Sequence, residues 1–326
     1  MKSTASNVSK PVLCLTGPTA AGKTAIALEL AKQHGFEIIS VDSALVYKGL
    51  NIGSGKPDQE TLGELPHHLV DIRDPSQPYS AAEFREDAIS AALDIIDRGK
   101  KPLLVGGTML YFKVLRDGLA RMPSADPDIR QAIAELAEEK GWQAVHDRLV
   151  DVDPESASRI HRNDPQRLMR ALEVYESSGK SLTEHHRETS DGGAPRPTEL
   201  ANLAFVAIHP GERPVLHRQI AKRFHDMLDQ GFVDEVKALY ERSDLNHDLP
   251  AIRSVGYRQV WDYLDGQYDY ETMIEKGIAA TRQLAKRQLT WLRSWPDLTR
   301  MECEPGFESG KIVKKCLKVL EVAPIN

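Results

Sequence analysis

The sequence predicts an α/β fold: a parallel sheet flanked by helices, interrupted by an all-helical insertion. Three observations predict it. Four short apolar runs, Val12–Leu15, Glu37–Val41, Pro102–Val105 and Leu203–Ile208, read as strands buried on both faces of a parallel sheet. Helical patterns at Ala25–His34 and Ala81–Arg98 separate the first three, the alternation of an α/β chain. From Met122 to about residue 200 the alternation stops, and the patterns are helical only.

The first strand runs into Gly17, Pro18, Thr19, Ala20, Ala21, Gly22, Lys23 and Thr24. This stretch fits the phosphate-binding loop G-x-x-x-x-G-K-S/T at every fixed position. Such a loop turns its backbone N–H groups around a phosphate chain, while Lys23 adds charge and the Thr24 hydroxyl can ligate Mg²⁺. Side chains at Gly17 or Gly22 would hold the phosphate away from the backbone. The helix that follows carries no proline and stops at Gly35, and its N-terminus favours an anion. Strand, loop and helix together predict a P-loop NTPase-like core, built from residues 1–121 and 201–326.

The second strand ends at Asp42 and Ser43. Ligands of open α/β sheets bind outside the carboxyl ends of the strands, so Asp42 is expected to face the loop's cleft. There it serves as a general base, positions Mg²⁺ through water, or simply caps a turn. The third strand ends Val105-Gly106-Gly107-Thr108, with no acid where a nucleoside triphosphatase keeps its magnesium-holding carboxylate. No Asn-Lys-x-Asp guanine-reading motif occurs anywhere. The parts for hydrolysing a triphosphate are therefore incomplete, whereas those for holding a diphosphate are present. Gly106-Gly107 admit close backbone approach and Thr108 offers a hydroxyl, unless the three form only a turn.

Pro123 and Pro127 open the insertion, 122–200, whose helical patterns cover Asp128–Lys140, Trp142–Val150, Glu155–Ile160 and Pro165–Ser178. Ser190 to Pro197 reads as a loop. Beyond His209-Pro210 the chain is expected to be mostly helical: Arg213–Gln230, Val233–Arg242, Gly256–Leu264 and Tyr270–Trp295. His67-His68 and His185-His186 lack a third ligand at metal spacing and are expected to be structural. Trp261, Trp291 and Trp295 are expected to anchor the core.

Composition narrows the class. A chain of 326 residues holds one large or two smaller domains, and 41% hydrophobic content is that of a globular protein. No apolar run approaches a membrane span, and Met1–Pro11 is too polar for a signal peptide. Three isolated cysteines, without C-x-x-C spacing, suit the cytoplasm. The net charge of −6 argues against general nucleic-acid binding, yet two stretches are locally basic. One is Arg159 to Arg162 with Arg167 and Arg170. The other is Arg282, Lys286, Arg287 and Arg293.

Over nearly its whole length the chain resembles the tRNA dimethylallyltransferases, or tRNA isopentenyl transferases. The resemblance rests on the loop at 17–24, on 40–50 (Ser-Val-Asp-Ser-Ala-Leu-Val-Tyr-Lys-Gly-Leu), on Gly53 to Pro57 and on Pro66 to Leu69. It continues through Val105 to Thr108 with Tyr111, Asp164 to Glu173, Arg253 to Gln259, and Ala280 to Arg293. The form is similar to the bacterial one, without the zinc module of some eukaryotic relatives.

The resemblance implies transfer of a dimethylallyl group from dimethylallyl diphosphate to the exocyclic amine of an adenosine on the 3′ side of the anticodon, with Mg²⁺. It implies catalytic roles for Asp42 (base), Thr108 and Arg223, the last of which alone reads as an exposed helix arginine. It implies tRNA contact at Asp42, Ser43, Ala44 and Leu45, and at Gln166, Arg167, Leu168, Met169 and Arg170. Further contacts are Arg253, Ser254, Val255, Gly256, Tyr257 and Arg258, then Lys286, Arg287, Gln288, Leu289, Thr290, Trp291, Leu292 and Arg293. The insertion would grip the anticodon stem-loop; no membrane or protein partner is implied, and a monomer is expected. The rivals are a free-adenylate isopentenyl transferase, a P-loop small-molecule kinase and a non-catalytic nucleotide switch. The first needs neither a helical insertion nor a basic C-terminal helix, and the last lacks its guanine motif.

Overall fold

The computed structural model describes residues 11–119, 122–123, 126–190, 197–303 and 308–322. The chain divides into two compact units, Met1–Arg116 with Arg196–Asn326, and Asp117–Pro195.

In the first unit β1 (Val12–Thr16) passes through the glycine loop into α1 (Lys23–His34) and β2 (Phe36–Val41). There follow α2 (Gln59–Glu64), β3 (His67–His68), α3 (Ala81–Asp97), β4 (Lys101–Gly106) and α4 (Met109–Asp117). The second unit holds α5 (Pro127–Val152), α6 (Pro154–Arg159), α7 (Pro165–Ser178) and α8 (Leu182–Ser190). The first then resumes with β5 (Leu203–His209), α9 (Arg213–Asp229), α10 (Phe232–Tyr240) and α11 (Tyr257–Leu264). It ends with α12 (Tyr270–Arg293), β6 (Leu298–Glu302) and α13 (Ser309–Val322).

The sheet order is β3-β2-β4-β1-β5-β6 and every pairing is parallel. All of β1 and β2 is buried, which is why those strands read as largely apolar runs, with Glu37 and Ser40 buried in β2. Alternate residues serve opposite faces. Leu13 and Leu15 meet Ile26 and Leu30 of α1 and Ile312, Val313 and Cys316 of α13 on one face. Phe205 of β5 meets Phe112 edge-on and Trp295 at a tilt, with centroids 5.7 and 5.1 Å apart. β1 thus lies between β4 and β5, and the strand order reverses about it, where open sheets place ligands.

The chain beyond Pro210 is mostly helical, as expected, and Leu298–Glu302 adds a sixth strand beside β5 that the sequence reading did not include. As an edge strand it buries only Met301, so it carries no apolar run to announce it. The loop expected at Ser190 to Pro197 falls mostly on residues outside the described ones.

The second unit is helical among its described residues. Gly141, at φ 78°, breaks α5 into the two segments the sequence suggests. Asp126 caps the first of them, accepting from the Asp128 amide at 2.9 Å. Ile133, Val145, Leu149, Leu168 and Leu172 form its core. The buried Glu173 carboxylate accepts from Arg130 at 2.7 Å, Arg170 at 2.8 Å and the Asp126 amide at 3.0 Å. Those partners offset the cost of burying it and hold it below the usual carboxylate range against that burial.

Candidate active site

The glycine loop follows from its two ends. Gly17 has φ 149°, and a side chain there would strike the Ile208 carbonyl of the neighbouring strand. Gly22 has φ 86° and starts α1, whose N-terminus is Lys23. The Lys23 ammonium donates to the Gly17 carbonyl at 2.9 Å and the Pro18 carbonyl at 2.8 Å. Burial draws its pKa down to about 8, with the Asp42 carboxylate opposing and the Arg223 guanidinium adding to the fall. Those influences put two cations and one carboxylate within electrostatic reach of one another.

The loop opens on a cleft of about 580 Å³ in the first unit, a volume suited to a small-molecule ligand. Asp42, Thr108 and Arg223 all line it. Asp42 Oδ1 accepts from the Ala44 amide at 2.8 Å and from Leu45 at 3.4 Å. The turn-capping role and the cleft-facing role read from sequence therefore coexist, with Oδ2 outside these bonds. The Thr108 hydroxyl accepts from the Ser43 amide at 3.0 Å, joining the ends of β4 and β2. Arg223 lies between the buried Ile220 and Phe224 of α9, close against Gly55. Burial also lowers its pKa, with Asp42 opposing. An arginine set within the apolar stripe of α9 was the signal that it points inward.

A wall of the cleft is held by a residue the sequence reading passed over. Glu235 accepts from the amides of Asn51 (3.0 Å), Ile52 (2.7 Å) and Gly53 (3.1 Å), and from the Tyr257 hydroxyl (2.7 Å). Tyr257 Oη in turn accepts from the Ser54 amide at 3.1 Å. A run of adjacent amides with one carboxylate in reach has no linear spacing, so only the folded chain reveals it. Apolar lining comes from Tyr47, Tyr79, Met109 and Tyr111, with Tyr111 stacked on Phe84 at 4.2 Å.

The residues expected to meet RNA divide by exposure. Ser43 and Arg253 to Ser254 reach the cleft, as do Ala44 and Leu45, whereas Tyr257 and Gly256 line it from buried positions. On α12, Lys286, Arg287, Thr290, Trp291 and Arg293 are exposed, Leu289 is half-buried, and Gln288 and Leu292 are buried. In the second unit Gln166 and Arg167 are exposed and Met169 is half-buried, but Leu168 is core. Arg170 is committed to Glu173 and the Pro123 carbonyl. Leu168, Tyr257, Gln288 and Leu292 have buried side chains, Leu168 in the core of the helical unit and Tyr257 and Gln288 in the lining of the cleft. Trp261 and Trp295 are core anchors as expected, whereas Trp291, 38% exposed, stands at the cleft.

The family model for IPP transferases matches residues 45–295. The chain belongs to the IPP transferase family. Its fold is similar to the full-length tRNA isopentenylpyrophosphate transferase of Bacillus halodurans, at 34% identity and a TM-score of 0.68. That match covers 96% of this chain and 97% of the other. It is also similar to the tRNA delta(2)-isopentenylpyrophosphate transferase of Staphylococcus epidermidis, with 31% identity, a TM-score of 0.67 and coverage of 96% and 99%. A eukaryotic dimethylallyltransferase acting on tRNA aligns at 26% identity with a TM-score of 0.79, over 98% of this chain and 81% of that one.

For an IPP transferase the donor set is informative. Among the described residues no group of three or more His, Cys, Asp or Glu is placed to hold a metal. His67 Nδ1 and His68 Nε2 are 2.8 and 3.1 Å from the Leu65 carbonyl and Glu37, as structural histidines are. The cleft does offer the Thr24 hydroxyl and the Asp42 carboxylate beside the loop. That sparse set fits Mg²⁺, which keeps waters and takes phosphate oxygens rather than a protein cage.

Proposed function

We propose that this IPP transferase moves the dimethylallyl group of dimethylallyl diphosphate onto the exocyclic amine of an adenosine beside the anticodon of tRNA. One observation carries the reading. A phosphate loop, a carboxylate and an inward arginine share one cleft, while β4 ends in Gly-Gly-Thr with no acid for triphosphate hydrolysis.

The chemistry follows from charge. The allylic C–O bond breaks, its electron pair leaves with the diphosphate, and positive charge develops on the prenyl carbon. Lys23, Arg223, the amides at the start of α1 and Thr108 are donors suited to the charge on the departing oxygens. Mg²⁺ held by Thr24 and phosphate oxygens would neutralise part of the same charge. The adenine amine is a weak nucleophile because its lone pair is delocalised into the ring. As the new C–N bond forms, its proton passes to Asp42, and the products are N6-(dimethylallyl)adenosine and diphosphate. Capping by the Ala44 amide holds Asp42 in place for this. Tyr47, Tyr79 and Tyr111 give the prenyl group an apolar, π-rich wall.

A stacked adenine cannot reach this depth, so the base is extruded into the cleft. Exposed Arg253, Arg258, Lys286, Arg287 and Arg293 supply phosphate contacts, and the helical unit with Arg167 grips the anticodon stem-loop. The enzyme acts as a cytoplasmic monomer on this reading. Diphosphate release measured with tRNA and with free AMP as acceptors tests the substrate class. Release with tRNA alone supports the proposal, and equal release with AMP contradicts it.

A further inference from the structure

We infer that Gln288 is a positioning residue that bolts the glycine loop to the end of β4 and thereby sets the shape of the diphosphate cradle. The inference deepens the proposed function and rests on reading the cleft as a diphosphate site.

Gln288 stands on α12 among exposed basic residues, and by sequence it belongs with them. Its side chain does something else. It is only 7% exposed, and both ends of its amide are used. Oε1 accepts from the Thr19 amide at 2.9 Å, and Nε2 donates to the Gly107 carbonyl at 3.0 Å. The contacts span 269 and 181 residues of chain, so three distant segments are joined by one side chain.

The chemistry is specific to glutamine. One partner is a donor and the other an acceptor, which a primary amide satisfies at once. A carboxylate would face the Gly107 carbonyl with a second oxygen. Asparagine is a methylene short, and methionine of similar size serves neither partner. Gly107 fits the same account, because a side chain there would collide with Gln288 Nε2.

The consequence falls on the loop. Gly17 and Pro18 spend their carbonyls on Lys23, Thr19 spends its amide on Gln288, and the Ala21 amide bonds to the Pro18 carbonyl at 3.3 Å. The first half of the loop is thus fixed by the protein itself, leaving the amides at the start of α1 to the ligand. The same bolt sits beside Thr108, the residue after Gly107. Sites made of preorganised donors lose function when such supports loosen, even though the supports touch no substrate.

The test measures inorganic diphosphate binding by calorimetry in the presence of Mg²⁺, alongside steady-state kinetics. In Gln288→Met the affinity for diphosphate should fall about tenfold, since two buried backbone groups lose their partners. The KM for dimethylallyl diphosphate should rise with it, while tRNA affinity stays within about twofold of the original. Gln288→Glu supplies the signature that mere packing would not. Its carboxylate form should bind diphosphate poorly, and its protonated form, able to donate to Gly107, should recover affinity as pH falls toward about 5 relative to the unsubstituted protein. Unchanged diphosphate affinity in Gln288→Met overturns the inference, as does a loss confined to tRNA binding. Should Gln288→Met fail to fold, a pH-independent defect in Gln288→Glu overturns it instead. An unsubstituted protein that does not bind diphosphate contradicts the reading of the cleft itself.

Discussion

The Thr108 hydroxyl accepts a hydrogen bond from the Ser43 amide at 3.0 Å, so that the ends of β4 and β2 close on the residue next to Asp42. A hydroxyl in that place fixes the turn that carries Asp42, the base of the proposed reaction, and stands in the cleft. Thr108→Val keeps the shape and removes both roles. Single-turnover prenyl transfer should fall about a hundredfold, with tRNA affinity changed by less than about threefold. Thr108→Ser should retain most of the rate. A variant that chiefly weakens tRNA binding shows that Thr108 belongs to the RNA surface.

On the proposed function, Lys23 should make diphosphate binding depend on pH. Its ammonium is held down to about 8, so the free protein carries the charge below that pH and loses it above. A diphosphate favours the charged form, and binding above pH 8 must therefore take up a proton. Affinity should be nearly flat below pH 8 on the protein side and weaken by up to about tenfold per unit above it. Calorimetry in two buffers of different ionisation heat counts the proton. Lys23→Met should bind weakly and take up none, and uptake that persists there assigns the proton elsewhere.

Glu235 and Tyr257 support the wall of the cleft by tying down the amides of residues 51–54. Glu235→Ala leaves three amides without their acceptor, at a cost of about 1–3 kcal/mol in urea denaturation. The freed 51–55 segment would also release Gly55 from its place against Arg223, so kcat should fall as well. Tyr257→Phe, which removes one hydroxyl link, should cost about 1 kcal/mol. Full stability in Glu235→Ala would show that water replaces the carboxylate.

Much of this was legible from the residues, for reasons the structure makes plain. β1, β2, β4 and β5 are buried over most of their length and are therefore mostly apolar, with Glu37 and Ser40 of β2 as buried polar exceptions. The loop was legible because each of its positions meets a separate steric or charge requirement at fixed spacing. Other parts carry no such mark. β6 is a polar edge strand and β3 is two residues long. Gln288 looks like a surface residue of its helix until the helix is docked, whereas Arg223 is marked only by its place in the apolar stripe of α9. Trp291 breaks the general rule for tryptophan because it stands one turn beyond Gln288, on the side of α12 that lines the cleft.

In the helical unit, two neighbouring arginines should behave differently. Arg167 is 72% exposed and sits 3.5 Å from Asp164, whereas Arg170 is tied to the buried Glu173. Arg167→Ala should weaken tRNA binding and reduce the salt slope of log Kd by about one. Arg170→Ala should instead lower the melting temperature, because Glu173 loses a partner in the interior. The reverse pattern would place Arg170, not Arg167, on the phosphate path.

The central claim is that the cleft prenylates an adenosine of tRNA. Incubating the protein with dimethylallyl diphosphate, Mg²⁺ and unmodified tRNA, followed by mass analysis of the digested nucleosides, tests it most directly. The account predicts N6-(dimethylallyl)adenosine in amounts equal to the diphosphate released, and its loss in Asp42→Ala. Absence of prenylated adenosine, with turnover of ATP in its place, would contradict it.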